Sequence, residues 1–284
     1  LLQLICRSLL LATNFIFKLI IFHYCNLLGI FFMNLKKDTF HSGLLIDLDG
    51  TILNKNDYIS AKVIFDLKKL KDIIPISIVT GRGPQDVFKF SKLLNFYGPQ
   101  YGENGSSAID GQSGELIYKN LINYKSCEII LNEISFANFD YLVVSNGNTF
   151  VNPSENLNNI SSIVVSSKRE EDLDHFNSKI GILEGTLSQK SIDENGNNFL
   201  NYHNEFSGKD KSLKHFINFY NLNEEKTFVI GDGLNDMPMI KSCKNSIAMG
   251  NASNKIKKHA RFITKSINED GVSYALKKFI YPLI

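Results

Sequence analysis

Two aspartates, Asp47 and Asp49, stand two positions apart at the end of the apolar run "SGLLIDLDGTIL", residues 42–53. A strand that has just been buried has no use for paired carboxylates, whereas Asp and Gly are common in turns. The stretch therefore reads as a turn or as a site. Three more segments carry polar groups in a similar setting. "ISIVTGR" ends in Thr80, Gly81 and Arg82, "GKDKSLKHF" carries Lys211, and "GDGLNDMPM" carries Asp232, Asn235 and Asp236. If these segments are neighbours, Asp47, Asp49, Asp232 and Asp236 converge with an amide, a hydroxyl and one ammonium. Such a set of carboxylates repels itself and one lysine does not balance it, but a divalent cation would. Hard carboxylate oxygens suit Mg²⁺, which also bridges to phosphate oxygens. The same groups suit phosphate chemistry. One carboxylate can attack phosphorus to give an aspartyl-phosphate, and a second can protonate the leaving oxygen and then activate water. A hydroxyl, turn N–H groups and a lysine can hold the phosphoryl oxygens.

These residues need elements that bring them to one edge. "GLLID", "ISIVTGR" and "TFVIGDG" are short continuous apolar runs, the pattern of strands buried on both faces. Between them lie helical patterns. Ser60 is a candidate N-cap for a stripe of Val63, Ile64, Leu67, Leu70 and Ile74, and Pro84 opens "PQDVFKFSKLLNF". After "DMPMIKSC" come a strand "SIAMG", a helix "NKIKKHA", a strand "FIT" and a closing helix "EDGVSYALKKFI". Alternating strands and helices predict an α/β fold: a Rossmann-like doubly wound parallel sheet, whose ligands sit beyond the carboxyl ends of its strands. Residues 121–203 differ, with Asn- and Ser-rich turns, separated strand-like pieces and two helix-like pieces. They read as an inserted α+β cap domain between core segments 34–120 and 204–284.

The four motifs, in this order and with room for a cap between the second and third, resemble those of the haloacid dehalogenase-like phosphatases. The likeness runs over about residues 42–284. The cap position, with "MGNAS" and "NEDGV", is similar to the type-IIB, Cof-like branch. "YGPQYGENGSSAID" also resembles the archaeal-type phosphoglycolate phosphatases and their sucrose-phosphate-phosphatase-like relatives. The resemblance implies Asp47 as nucleophile, Asp49 as acid/base, and Asp47, Asp49, Asp232 and Asp236 at Mg²⁺. Thr80, Gly81, Arg82, Lys211 and Asn235 would bind the substrate. Asp49 separates the chain from the related ion-pumping ATPases and from true dehalogenases, which lack an acid there. The implied activity is hydrolysis of a small phosphorylated metabolite, a sugar phosphate or a phosphoglycolate-like ester. A phosphomutase or phosphotransferase on the same scaffold and a non-catalytic binding protein are the alternatives. Arg82 could instead cap a carboxylate and Asn235 a helix. Lys209 and Lys214 read as solvated neighbours of Lys211, Met237 and Met239 as packing residues, and His175, His203, His215 and His259 lack metal-site spacing.

The 284 residues carry a net charge of +2, which gives no ground for a nucleic-acid partner. Four cysteines without paired spacing point to reduced, cytoplasmic chemistry. Residues 1–33 are nearly all apolar, interrupted by Arg7, Lys18 and His23. The expectation is an upstream read-through before a start at Met33, outside the fold. A membrane anchor and a targeting peptide are the alternatives, and a membrane partner follows only from the anchor. The sequence leaves oligomeric state open.

Overall fold

In β1 (Gly43–Ile46), Leu44 and Ile46 point to one side of a sheet and Leu45 to the other, and all three are fully buried. That two-sided burial explains the continuous apolar run. The structure is a computed structural model, and it describes residues 41–154, 157–192 and 196–284. The expectations for residues 1–33 lie outside the described residues. Strands β2 (Ile76–Ile78), β11 (Thr227–Gly231), β12 (Asn245–Ala248) and β13 (Phe262–Ile263) join β1 in the order β13-β12-β11-β1-β2, every pairing parallel. The chain leaves β1 toward β2 and returns on its other side at β11. Their carboxyl ends are thus the point where the winding reverses, the crevice in which open parallel sheets bind ligands.

Helices cover both faces, as parallel crossovers demand. On one face α1 (Ala61–Leu70) lays down Val63, Leu67 and Leu70, and α2 (Pro84–Leu94) adds Phe90 and Leu94. Ser60 caps α1 by accepting the Val63 N–H at 3.2 Å. The helix stops at Leu70, so Ile74 reaches the core from the following turn. A later helix supplies Leu213 and Phe216 to the opposite face.

A small antiparallel sheet follows α2: β3 (Pro99–Gly102), β4 (Ser107–Asp110) and β5 (Leu116–Lys119). Between Tyr124 and Asn204 the chain builds another layer. Here β6 (Asp140–Ser145), β7 (Asn148–Val151), β8 (Ile160–Ser167), β9 (Thr186–Ile192) and β10 (Asn198–Asn204) form an antiparallel sheet in the order β7-β6-β8-β10-β9. Helices α3 (Tyr124–Ala137) and α4 (Glu170–Ile180) cover one face through Ile130, Ile134, Leu173 and Phe176. The two strands of chain that lead into and out of this layer are tied together. Asn120 Nδ2 donates to the Phe206 carbonyl at 3.3 Å, and Asn204 Nδ2 to the Leu121 carbonyl at 2.8 Å. Cys127 and Cys243 are buried free thiols. Among the described residues no helix is long and apolar enough to cross a membrane.

Candidate active site

Asp47 follows β1 directly, and its N–H donates to the Ile230 carbonyl at 3.0 Å, so the strand pairing carries the residue to the sheet edge. Leu48 O then accepts the N–H groups of Thr51, Ile52 and Leu53, which folds the chain into a tight loop. Gly50 sits in that loop at φ +75°, and a Cβ there would fall 2.2 Å from Asp232 Oδ2. Only glycine meets both demands, the left-handed backbone and the close approach.

Lys209 opens α5 (Lys209–Tyr220) and is wholly buried, donating from Nζ to Asp47 Oδ1 at 2.7 Å and to Asp236 Oδ1 at 2.6 Å. Burial works to lower its pKa, but the charges of Asp236 and Asp47 outweigh it and hold the ammonium well above the usual lysine range. Asp47 Oδ2 accepts no hydrogen bond from the described residues. Asp236 Oδ2 accepts the N–H groups of Asp232 and Gly233 at 2.9 and 2.8 Å, closing the turn after β11. Asp232 is held by Thr51 Oγ1 at 3.3 Å and by Asn251 Nδ2 at 2.9 Å, and the same Asn251 amide reaches the Gly50 carbonyl at 2.8 Å. Asn251 thus fastens the loop after β1 to the turn after β11.

Asp47, Asp232 and Asp236 bring carboxylate oxygens within 4.8 Å of one another. Burial, then the charge of Asp236, pushes Asp47 well above the usual carboxylate range, and the same causes push Asp232 up to about 7. Three carboxylates around the single Lys209 ammonium leave excess negative charge in a place shielded from water. All-oxygen donors under that strain fit a hard divalent cation.

Asp49 stands apart from that cluster, with a half-exposed side chain. Arg82 Nε lies 3.0 and 3.1 Å from its two oxygens, and Nη2 lies 2.6 Å from Oδ1. Thr80, buried at the end of β2, donates to Asp49 Oδ2 at 3.4 Å and accepts the Arg82 N–H at 3.2 Å. Asn104 N–H donates to the Thr80 carbonyl at 2.8 Å, and Asn104 Oδ1 would lie 3.4 Å from a Cβ on Gly81. Asn235 Nδ2 donates to that same Oδ1 at 3.1 Å. The strand ends therefore do meet: Asp47, Asp49, Thr80, Gly81, Arg82, Asp232, Asn235 and Asp236 surround one crevice.

Lys211 does not join them, and the expectation that it holds the phosphoryl group is corrected. Its side chain is 43% exposed and its Nζ lies 3.7 Å from Asp210. Lys209, read from the sequence as solvated, takes the inner place. Two helical residues differ by about 200° around the axis, so Lys209 and Lys211 must face opposite ways. A signal was available: Lys209, Ser212, Leu213 and Phe216 form one inward stripe at helical spacing. The side chain of Asp49, expected as a fourth cation ligand, is held by Arg82 and lies outside the cluster of three. Sequence reading also passed over Thr51, Asp57, Asn104 and Asn251. Asn251 lies in the noted "MGNAS" stretch, but only contacts across 201 and 19 residues reveal its use.

The second sheet approaches this crevice through Gln189 of β9, whose Nε2 lies 3.5 Å from the Asn235 carbonyl. A cavity of about 810 Å³ lies alongside, lined by Gln189 and Phe199 from that sheet and by Asp232, Met237 and Asn251 from the parallel layer.

A family model for haloacid dehalogenase-like hydrolases matches residues 44–181 and 152–276. The chain is 25% identical over 288 residues to the 5-amino-6-(5-phospho-D-ribitylamino)uracil phosphatase YwtE of Bacillus subtilis, covering 84% of this chain and 97% of that one. It is also 25% identical, over 245 residues, to a phosphoglycolate phosphatase of Methanobrevibacter smithii, with 84% and 97% covered. Among solved structures, the HAD subclass IIB sugar phosphatase BT4131 superposes with a TM-score of 0.72 at 21% identity, over 86% of this chain and all of that one.

Proposed function

Since this chain belongs to the haloacid dehalogenase-like hydrolases and is a phosphoric monoester hydrolase of that family, we propose that it is a Mg²⁺-dependent phosphatase working through an aspartyl-phosphate on Asp47. The observation that carries this reading is the buried Lys209 bridging Asp47 and Asp236 beside Asp232. Lys209 occupies one oxygen of Asp47 and leaves the other for attack on phosphorus. Attack forms the Asp47–phosphorus bond as the bond to the leaving oxygen breaks, and Asp49 supplies the proton that the leaving oxygen takes up. Asp49 then takes a proton from water as that water attacks the same phosphorus. Inorganic phosphate departs and the Asp47 carboxylate returns. Thr80 Oγ1, the Gly81 N–H and Lys209 hold the phosphoryl oxygens. Asp47, Asp232 and Asp236 would hold Mg²⁺, which offsets negative charge on them and on the phosphoryl oxygens when bound.

The sheet of β6–β10 serves as the cap. Its contact at Asn235 and a cavity of about 810 Å³ support an organic phosphate larger than inorganic phosphate, in the range of a sugar phosphate or a phosphoglycolate-like ester. Two buried free thiols fit a cytoplasmic setting. Replacing Asp47 with Asn removes the nucleophile and changes little else in shape. Turnover of an aryl phosphate with Mg²⁺ is expected to fall to background, and retained turnover would refute the assignment.

A further inference from the structure

Arg82 does not face the crevice as a free cation. Nε and Nη2 hold Asp49, Nη2 also meets Asp57, and Nη1 lies 3.8 Å from Asp86. The guanidinium is thus engaged by carboxylates on two sides, with the ring of Phe90 5.6 Å from its centre. Asp57, which shares Nη2 with Asp49, comes from a braced turn. Asn54 Oδ1 accepts the N–H groups of Asn56 and Tyr58 at 2.9 and 3.1 Å, and Asn54 and Tyr58 pair through the main chain at 3.1 Å. The Asp57 N–H returns to the Asn54 carbonyl at 3.0 Å, with Asp57 at φ +54°. That left-handed backbone is open mainly to Gly, Asn and Asp, and it turns the Asp57 carboxylate toward Arg82. Both carboxylates meet at Nη2 of the planar guanidinium, so Asp57 holds the nitrogen that also grips Asp49.

We propose that Asp57 is a positioning residue, which through Arg82 sets the carboxyl group of Asp49 where a leaving oxygen must be protonated. The proposal rests on the phosphatase reading above and sharpens it toward a substrate class. An alkyl phosphate, such as a sugar or polyol ester, expels a strongly basic alkoxide oxygen and needs that proton. A nitrophenyl phosphate expels a weakly basic phenolate and does not. A chain that braces Asp49 from two sides is built for alkyl esters.

The test compares the full chain with Asp57→Asn, Asp57→Ala and Asp57→Glu, with Mg²⁺, on p-nitrophenyl phosphate and on glycerol 2-phosphate. Positioned acid catalysis is worth about 10²–10⁴-fold, and loosening rather than deleting the acid should forfeit part of it, on the order of tenfold. The expected result is a roughly tenfold fall in kcat/KM on the alkyl ester in Asp57→Asn and Asp57→Ala, since kcat/KM reports the first step, in which the leaving oxygen takes its proton. On the aryl ester kcat/KM falls less than about twofold, while kcat, which includes the shared step in which Asp49 activates water, falls on both esters, and Asp57→Glu regains most of the loss. Equal losses in kcat/KM on both esters, a loss that comes from KM alone, or no loss at all would overturn the proposal. A fold defect in Asp57→Ala is separated by Asp57→Asn, which keeps the shape. If wild type hydrolyses neither ester, the phosphatase reading itself fails and the positioning role falls with it. If wild type hydrolyses both and the variants do not discriminate, only the positioning role fails.

Discussion

Asp47 and Asp49 are two residues apart, yet they belong to different surroundings. Asp47 is buried with Asp232, Asp236 and Lys209, where charge is unscreened and two carboxyl groups are driven upward in pKa. Asp49 sits at a half-exposed rim, gripped by Arg82. The difference teaches how one short loop can serve two chemical needs. A nucleophile needs a fixed direction and a compensated charge. A proton carrier needs access to water and a hold that keeps its aim. The loop that turns at Gly50 is what lets neighbouring residues end in such unlike places.

The comparison breaks most severely at Lys209. Lys209→Met leaves Asp47 and Asp236 buried and unpaired, which should cost about 3–5 kcal/mol in denaturant unfolding, with activity reduced to background. Lys211→Met, two residues on at an exposed position, should change stability by less than about 0.5 kcal/mol and leave turnover intact. If the two variants behave alike, the placing of Lys209 is wrong. A smaller effect is expected at the joint between the two regions. Gly50→Ala meets a positive φ and the Asp232 carboxylate at 2.2 Å, a strain on the order of 1–3 kcal/mol. Both the metal affinity and the turnover of Gly50→Ala should fall, read by Mg²⁺ titration of activity; unchanged titration would mean that the loop and the Asp232 turn are not coupled.

The smallest effect concerns pH. Asp47 and Asp232 have folded pKa values raised above the unfolded range near 4, so the unfolded chain gives up these protons first as pH rises. Their stabilising share is present below about pH 4 and is lost as pH climbs through about 7, where Asp232 titrates. The chelated protein should therefore melt a few degrees lower at pH 8 than at pH 5, roughly the shift that 1–2 kcal/mol produces. Added Mg²⁺ should narrow the gap by binding the ionised form. A flat profile after chelation would show that the buried acids carry no such strain.

Much of the parallel layer was legible because its strands are apolar on both faces and end abruptly in polar residues. Ile46–Asp47, Val79–Thr80 and Gly231–Asp232 each mark such a boundary. The strands of the small β3–β5 sheet were not, since "PQYG" carries both Pro and Gly, and "LIYK" is largely exposed. The grouping of Asp47, Asp232 and Asp236 was legible because each residue's type and place in a motif were enough. It failed at Lys209, where two lysines compete two positions apart and helix phase decides. Asp57 and Asn251 act through partners 25 and 201 residues away, which no local pattern encodes.

The pairing of β1 with β11, Gly43 beside Thr227 through Ile46 beside Ile230, also sets a schedule for synthesis. A chain emerging from the ribosome carries Asp47 early but lacks one neighbour of that strand until nearly two hundred residues later. In the meantime the β6–β10 layer has all its strands within one continuous stretch and can close first. A fragment ending before Thr227 would keep Asp47 on an open, apolar strand edge, catalytically silent and prone to pair with other chains.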